Sequence, residues 1–207
     1  PTASTALRPA EPLHRARPRA VDVAFTPAAA RRADVTVVID VLRATTTIVR
    51  AFEAGYRRVL CAATLDAARA LDAPGRVLAG ERHCVRPPGF ALGNSPDETD
   101  PPRGEVLVLA TTNGTPAILR AAALSTDVLI GCLRNLDAVL DAVGDRDVQL
   151  LCAGTDGRPS LEDTYVAGRL VQRLGGQPAA AALLALAVAG ERPDALAAGA
   201  GGRKLIA

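Results

Sequence analysis

Residues 35–48 read VTVVIDVLRATTTI, and the fold follows from how this stretch changes character at Asp40. Val35, Val37, Val38 and Ile39 make a short, β-branched apolar run, the pattern of a strand buried on both faces. Asp40 ends it. An ionised carboxylate is costly to bury without partners, so packing does not explain the residue. It stands at the carboxyl end of a buried strand, where open α/β sheets place their chemistry. Arg43 follows within a turn, and Thr45, Thr46 and Thr47 can cap and enter a helix running through Ile48, Val49 and Phe52 to Gly55. The start of such a helix offers free backbone N–H groups and a positive dipole end to an anion.

Outward from this unit, apolar runs at 21–25, 58–62, 77–79, 105–110, 127–133 and 148–152 read as strands. Helical periods lie between and after them, at 65–73, 115–123, 135–144 and 160–174, with an Ala/Leu helix after Pro178. Thr64 is placed to cap its helix, Pro116 suits a first helical turn, and Gly144 a helix end. The alternation predicts an α/β fold with a largely parallel or mixed sheet. Residues 80–103 form one long Gly-, Pro-, Asn- and Asp-rich connection, and Phe90 and Leu92 give it something to bury.

The chain has 207 residues, enough for one well-filled core, and reads as a single domain over 21–207. Residues 1–20, with several Pro and Arg and little periodicity, are expected to be a disordered leader. Net charge is only +2, Lys204 is the single lysine, and no arginine stripe is interleaved with aromatics, which argues against nucleic acid as a partner. The four cysteines lack C-x-x-C spacing and are expected to be buried thiols in a reducing cytoplasm, not a zinc site. No apolar run reaches the roughly 18 residues of a membrane span, so no membrane partner is expected. Self-association into a homo-oligomer stays open.

Four strand ends carry polar clusters: Asp40 with Arg43 and the threonines, Glu81, the group Thr111–Thr112–Asn113–Gly114–Thr115, and the loop before Glu162 and Asp163. A parallel sheet would gather them along one edge. Acids with no paired His, Cys or activated Ser point to a hard cation such as Mg²⁺, which prefers carboxylate and water oxygens and bridges to phosphate. TTNGT can cradle an anion or serve turn chemistry alone. Asn94–Ser95–Pro96 has the same two readings, and Glu162 and Asp163 can equally complement a helix dipole. His83 reads as a surface residue.

The ordered set VVIDVLRATTTI, GER, GFALGNSP, TTNGT, CAGTDG and LEDTYVAG resembles the 2-phosphosulfolactate phosphatase (ComB) family over about residues 21–174. That resemblance implies a three-layer α/β/α sandwich with a mixed, largely parallel sheet. It also implies Mg²⁺-dependent hydrolysis of 2-phospho-3-sulfolactate, a small anionic phosphorylated substrate, to sulfolactate and phosphate on the route to coenzyme M. Asp40, Arg43, Glu81, Asn94, Ser95, Thr111, Thr112, Asn113, Gly114 and Asp163 fall on the family's motif positions. Ala91 stands where the family often has an acid, and the family usually continues past the segment at 200–205 with an acidic, aromatic tail. A pocket without that tail is expected to change substrate sooner than fold.

The expected roles are Asp40 and Arg43 as catalytic residues, with Mg²⁺ held by Asp40, Glu81 and Asp163. Thr45, Thr46, Asn94, Ser95 and residues Thr111 to Thr115 would bind substrate. Attack by water and an Asp40 aspartyl-phosphate are both open. The rivals are a phosphatase for another small phosphorylated acid and a catalytically silent anion-binding homologue.

Overall fold

The strand read from residues 35–39 is the buried end of β2 (Ala33–Ile39), where Val35, Val37, Val38 and Ile39 have no exposed surface. The computed structural model describes residues 19–190, so residues 1–18 of the leader expected over 1–20 and the segment at 200–205 lie outside the described residues, while Ala20 already opens a strand. β1 (Ala20–Ala24) precedes β2, and α1 (Ala44–Ala54) follows it. Then come β3 (Arg58–Cys61), α2 (Leu65–Ala70), β4 (Arg76–Gly80), β5 (Val106–Ala110) and α3 (Gly114–Ala122). The order finishes with β6 (Ser125–Gly131), α4 (Leu136–Val143), β7 (Val148–Cys152), α5 (Leu161–Leu174), the short β8 (Gln177–Pro178) and α6 (Ala180–Ala189).

Alternation gives the expected α/β sandwich, and every pairing between these strands is parallel. The strands divide into two sheets, of order β6-β2-β7-β1-β8 and β3-β5-β4. Residues 58–110 thus form a smaller sheet inserted into the sequence of the larger one. Only α1 and α3 carry the chain between the two.

The larger sheet is covered on one face by α4, α5 and α6, with Val37, Ile39, Leu150, Val139, Leu170 and Ala185 in a single core. Its other face, through Val38 and Leu151, meets Ala117 and Ala121 of α3. Ile48 and Ala51 of α1 pack against Leu107 and Leu109 of β5, and Ile118 of α3 touches both cores, so α1 and α3 lie between the sheets. The outer face of the smaller sheet is closed by Ala68 of α2 and by Phe90.

The long connection is ordered, as its apolar residues required. Leu92 is fully buried and bridges alongside Ala79, and the N–H groups of Ala91 and Leu92 both donate to the Leu78 carbonyl. The Gly80 N–H in turn donates to the Leu92 and Gly93 carbonyls, which holds the loop against the carboxyl end of β4.

Candidate active site

Five chain segments meet at the carboxyl ends of β2, β4, β5 and β7. They line one cleft between the two sheets. β2 delivers Asp40, Leu42 and Arg43; the end of β4 delivers Glu81, His83 and Cys84; the long loop adds Asn94. Thr112 and Asn113 come from the β5 end, and Thr155 and Asp156 from the loop after β7. Sequence reasoning expected a single sheet edge. The groups converge because two parallel sheets point their carboxyl ends at the same crevice.

Asp40 is 7% exposed and sits at the N-terminus of α1. Burial, then the nearby Glu81, pushes its carboxyl up to about 7, while backbone N–H groups of Ala44 and Arg43 hold it back. Gly114 is what lets α3 come so close. A Cβ there would stand 2.4 Å from Asp40 Oδ2 and 2.4 Å from Ala44 Cβ, closer than atoms can approach.

Glu81 is fixed by donors. Its Oε1 accepts the Thr112 N–H at 2.6 Å, and its Oε2 accepts the Cys84 N–H at 2.8 Å and the Thr112 hydroxyl at 3.0 Å. Gly80 precedes it at φ +155, where a Cβ would lie 2.1 Å from the Ala110 carbonyl oxygen. Only glycine brings β4 and β5 this close just before the acid.

Arg43 lines the cleft without a carboxylate partner for its guanidinium among the described residues. Asn94 is 5% exposed, and its Oδ1 is buried with no hydrogen-bond partner among the described residues. A buried amide oxygen left unpaired costs free energy unless something binds it.

Several expected site residues do other work. Asp163 is 2% exposed and is not among the cleft-lining residues. Its Oδ1 accepts the Val41 N–H at 2.9 Å and its Oδ2 the Gly154 N–H at 3.0 Å, so it ties the loop after β2 to the loop after β7. Burial and the neighbouring Asp40 raise its pKa well above the carboxylate range, against the pull of those N–H donors. Among the described residues it braces the two loops and is not one of those that line the cleft.

Thr45, expected to bind substrate, is fully buried with its hydroxyl spent on both backbone groups of Asp40, at 3.1 Å from the nitrogen and 2.8 Å from the oxygen. The Thr46 hydroxyl donates to the Val41 carbonyl at 2.8 Å. Thr111 and Thr115 cap each other: the Thr115 N–H donates to the Thr111 hydroxyl and the Thr111 N–H to the Thr115 hydroxyl, both at 3.0 Å. Ser95 opens the 3₁₀ turn Pro96–Thr99 and does not line the cleft. The hydroxyls of Thr45, Thr46, Thr111 and Thr115 are thus engaged by backbone groups or by each other's turn, while the Ser95 side chain makes no cap bond, and none of these five lines the cleft among the described residues.

Thr112, Asn113, Asn94, Arg43, Asp40 and Glu81 are brought together as expected. Leu42, His83, Cys84, Thr155 and Asp156 were missed as cleft residues. Asp156 was legible inside the loop AGTDGRPS, since an Asp–Gly turn after a strand marks the same sheet end. Asn113 Oδ1 accepts the Asp156 N–H at 3.2 Å, joining the two halves of the rim. Cys84 corrects the expectation of four buried thiols, because it is exposed, and Cys61 is only partly buried; all four remain free.

The oxygen donors suit Mg²⁺. No group of three or more His, Cys, Asp or Glu residues among the described residues could form a metal cage. Mg²⁺ needs none: it commonly takes one or two carboxylates and completes its shell with water and substrate phosphate. Asp40, Glu81 and the unpaired Asn94 Oδ1 supply hard oxygens of that kind in one crevice.

The fold and cleft together define an α/β protein with a polar, charged cleft at the joined carboxyl ends of two parallel sheets. Known proteins narrow this. The chain belongs to the 2-phosphosulpholactate phosphatase family, whose model matches residues 23–205. A probable 2-phosphosulfolactate phosphatase from Thermotoga petrophila is 42% identical over 157 residues, covering 74% of this chain and 68% of that protein. One from Deinococcus radiodurans is 45% identical over 148 residues, covering 68% of this chain and 62% of its own length. The 2-phosphosulfolactate phosphatase of Methanothermobacter thermautotrophicus is 38% identical over 143 residues, again 68% of this chain and 61% of that protein. The match therefore spans somewhat under two thirds of the last two relatives.

Proposed function

We propose that this chain hydrolyses 2-phospho-3-sulfolactate to 3-sulfolactate and inorganic phosphate, with Mg²⁺ as cofactor. The observation that carries the reading is the meeting of Asp40, Glu81 and Asn94 with Arg43 in one cleft, the Asn94 Oδ1 and the Arg43 guanidinium having no partner among the described residues. Asp40, Glu81 and Asn94 would hold Mg²⁺, which when bound polarises a phosphoryl oxygen and offsets its charge. Family membership and the names of the relatives support the substrate. We place the reaction in the cytoplasm, where free thiols stay reduced, and on the route to coenzyme M.

The chain's own groups do most of what phosphoryl transfer needs, which is position and electrostatics. Arg43 offers a planar fork of N–H donors to phosphoryl oxygens. The start of α1 spends its Arg43 and Ala44 N–H groups on Asp40 and adds a positive dipole end beside it. Thr112 and Asn113 close the opposite wall, and the Glu81 carboxylate is held still by three donors, so little reorganisation accompanies the reaction. Asp163 keeps the Asp40 turn and the Asp156 loop at a fixed separation.

Phosphate release from 2-phospho-3-sulfolactate, measured with and without Mg²⁺ and against a panel of other phosphorylated hydroxy acids, tests the reaction and its substrate. Asp40→Asn should lower turnover by about 10²–10³-fold or more while the far-UV spectrum and Tm stay close to the parent's. Full activity in that variant removes Asp40 from the mechanism. Rapid quench with labelled substrate separates attack by water from an aspartyl-phosphate, since only the latter leaves label on the protein. Phosphate or sulfonate binding without any Mg²⁺-stimulated release would instead identify a silent anion-binding homologue.

A further inference from the structure

The rim of the cleft carries a histidine in a backbone conformation that favours glycine. His83 and Cys84 have φ values of +53 and +66, and they occupy the two central positions of a tight turn. The turn is closed by reciprocal bonds between Arg82 and Val85, each N–H donating to the other's carbonyl at 3.0 Å. Two successive residues at positive φ make this the turn type in which Asn and Gly are usual, and other residues there pay a steric cost. Such outliers persist only where the surroundings over-determine them, and they concentrate at ligand sites.

The surroundings here are the machinery of the cleft. The Cys84 N–H donates to Glu81 Oε2, and the His83 N–H donates at 3.3 Å to the Thr112 hydroxyl, which itself donates to Glu81. The turn is therefore braced against a proposed cation-holding carboxylate, and the direction in which it presents its side chains is set. His83 lines the cleft, and its side chain has no hydrogen-bond or ion-pair partner among the described residues.

Charge decides what that side chain can meet. Asp40, Glu81 and Asp156 line the cleft on the acidic side, and among the described residues Arg43 and His83 are the lining residues able to carry positive charge. A phosphorylated sulfonated acid brings three anionic groups. Mg²⁺ held by Asp40 and Glu81, together with Arg43, would answer the phosphoryl group, which leaves the carboxylate and the stronger acid, the sulfonate, to the other wall.

We infer that His83, presented by the strained turn at the end of β4, is the specificity-determining residue that binds the substrate's sulfonate. This rests on the phosphatase reading above and goes beyond it by assigning the recognition of the second strong acid to one side chain. Binding is through an imidazole N–H to a sulfonate oxygen, made before and after phosphoryl transfer alike.

The test uses His83→Gly, which relieves the positive φ while removing the ring, and His83→Asn, which tolerates the same backbone and restores an N–H donor. Calorimetry on the full chain with 3-sulfolactate and with lactate, in Mg²⁺, is run beside hydrolysis of 2-phospho-3-sulfolactate and 2-phospholactate. In His83→Gly the Kd for 3-sulfolactate should rise about tenfold, the scale of a charge-assisted hydrogen bond, without a matching change for lactate. The kcat/KM preference for the sulfonated ester should fall by the same factor, through KM, and His83→Asn should recover part of it. Equal weakening of both ligands, or of neither, overturns the assignment whether or not the chain turns over. Failure of the parent to release phosphate from either ester overturns the phosphatase reading instead, and the calorimetric comparison still decides the role of His83.

Discussion

Asp163 and Gly114 shape the cleft without lining it, and each makes a sharp prediction. Asp163 uses both carboxylate oxygens on backbone N–H groups, whereas asparagine has a single acceptor oxygen. Asp163→Asn should therefore loosen the loop after β7 and lower kcat by about tenfold or more, in keeping with the sensitivity of catalysis to small misplacements. Its Mg²⁺ affinity by calorimetry should stay near the parent's, in contrast to Asp40→Asn; a matching loss of Mg²⁺ binding would return Asp163 to the ligand set. Gly114→Ala places a methyl against Asp40 Oδ2. It should cost about 1–3 kcal/mol of stability by urea denaturation, typical of overpacking, and a disproportionately larger share of activity because the displaced group is the central carboxylate.

At the scale of single elements, α1 is tied to the far edge of the larger sheet by its own C-terminal half. Glu53 accepts from Arg134, beyond β6, and from Arg50 one turn earlier. The hydrogen bond from Arg134, then that from Arg50, holds the Glu53 carboxyl below its ordinary value of 4.5. A carboxyl whose pKa is lower folded than unfolded stabilises the fold fully above the unfolded value, and that contribution is lost as pH falls through the folded one. Thermal melts taken downward in pH should therefore show a Glu53-dependent loss only below pH 4.5, absent in Glu53→Gln and diminished by salt.

Element identity was legible for a local reason: strands and helices here are set by periodicity and punctuation within a few residues. Thr64 accepts from the Ala67 N–H, as its position promised, and Ser160 accepts from that of Asp163. Asn135, at the start of α4, makes no cap bond; its side chain accepts from the Cys132 N–H and donates to the Ile130 carbonyl, holding the loop before the helix. The helix after Thr64 stops at Ala70, shorter than its apolar period, because Leu71 turns to extended backbone. The same capping chemistry hid part of the site. Hydroxyls of Thr45, Thr111 and Thr115 look like anion ligands in a sequence, yet N–H groups a few residues away claim them first.

On the scale of the whole molecule, the convergence of acids was legible and its architecture was not. Asp40 and Glu81 both end strands, and strand ends gather, so their meeting could be expected. That they belong to different sheets depends on pairings between residues far apart in the chain, such as Val37 with Leu129 and Leu150, which no local pattern records. Residues of the strained turn were read as surface for a related reason. His83 is indeed exposed, and only the docking of one sheet beside the other turns that surface into a wall.

The interrupted order of the larger sheet also governs how the protein can be made. β1 and β2 do not pair with each other; β1 lies between β7 and β8, and β2 between β6 and β7. A nascent chain emerging from the ribosome therefore carries its first two strands unpaired until residue 125 and beyond, whereas all three strands of the inserted sheet have left the tunnel earlier. Arrest-peptide force measurements on a length series should register an early pull once the insert has emerged and a second only after residue 152. Vectorial synthesis thus builds the Glu81 wall first and adds the Asp40 wall last, so no translation intermediate holds a finished pocket.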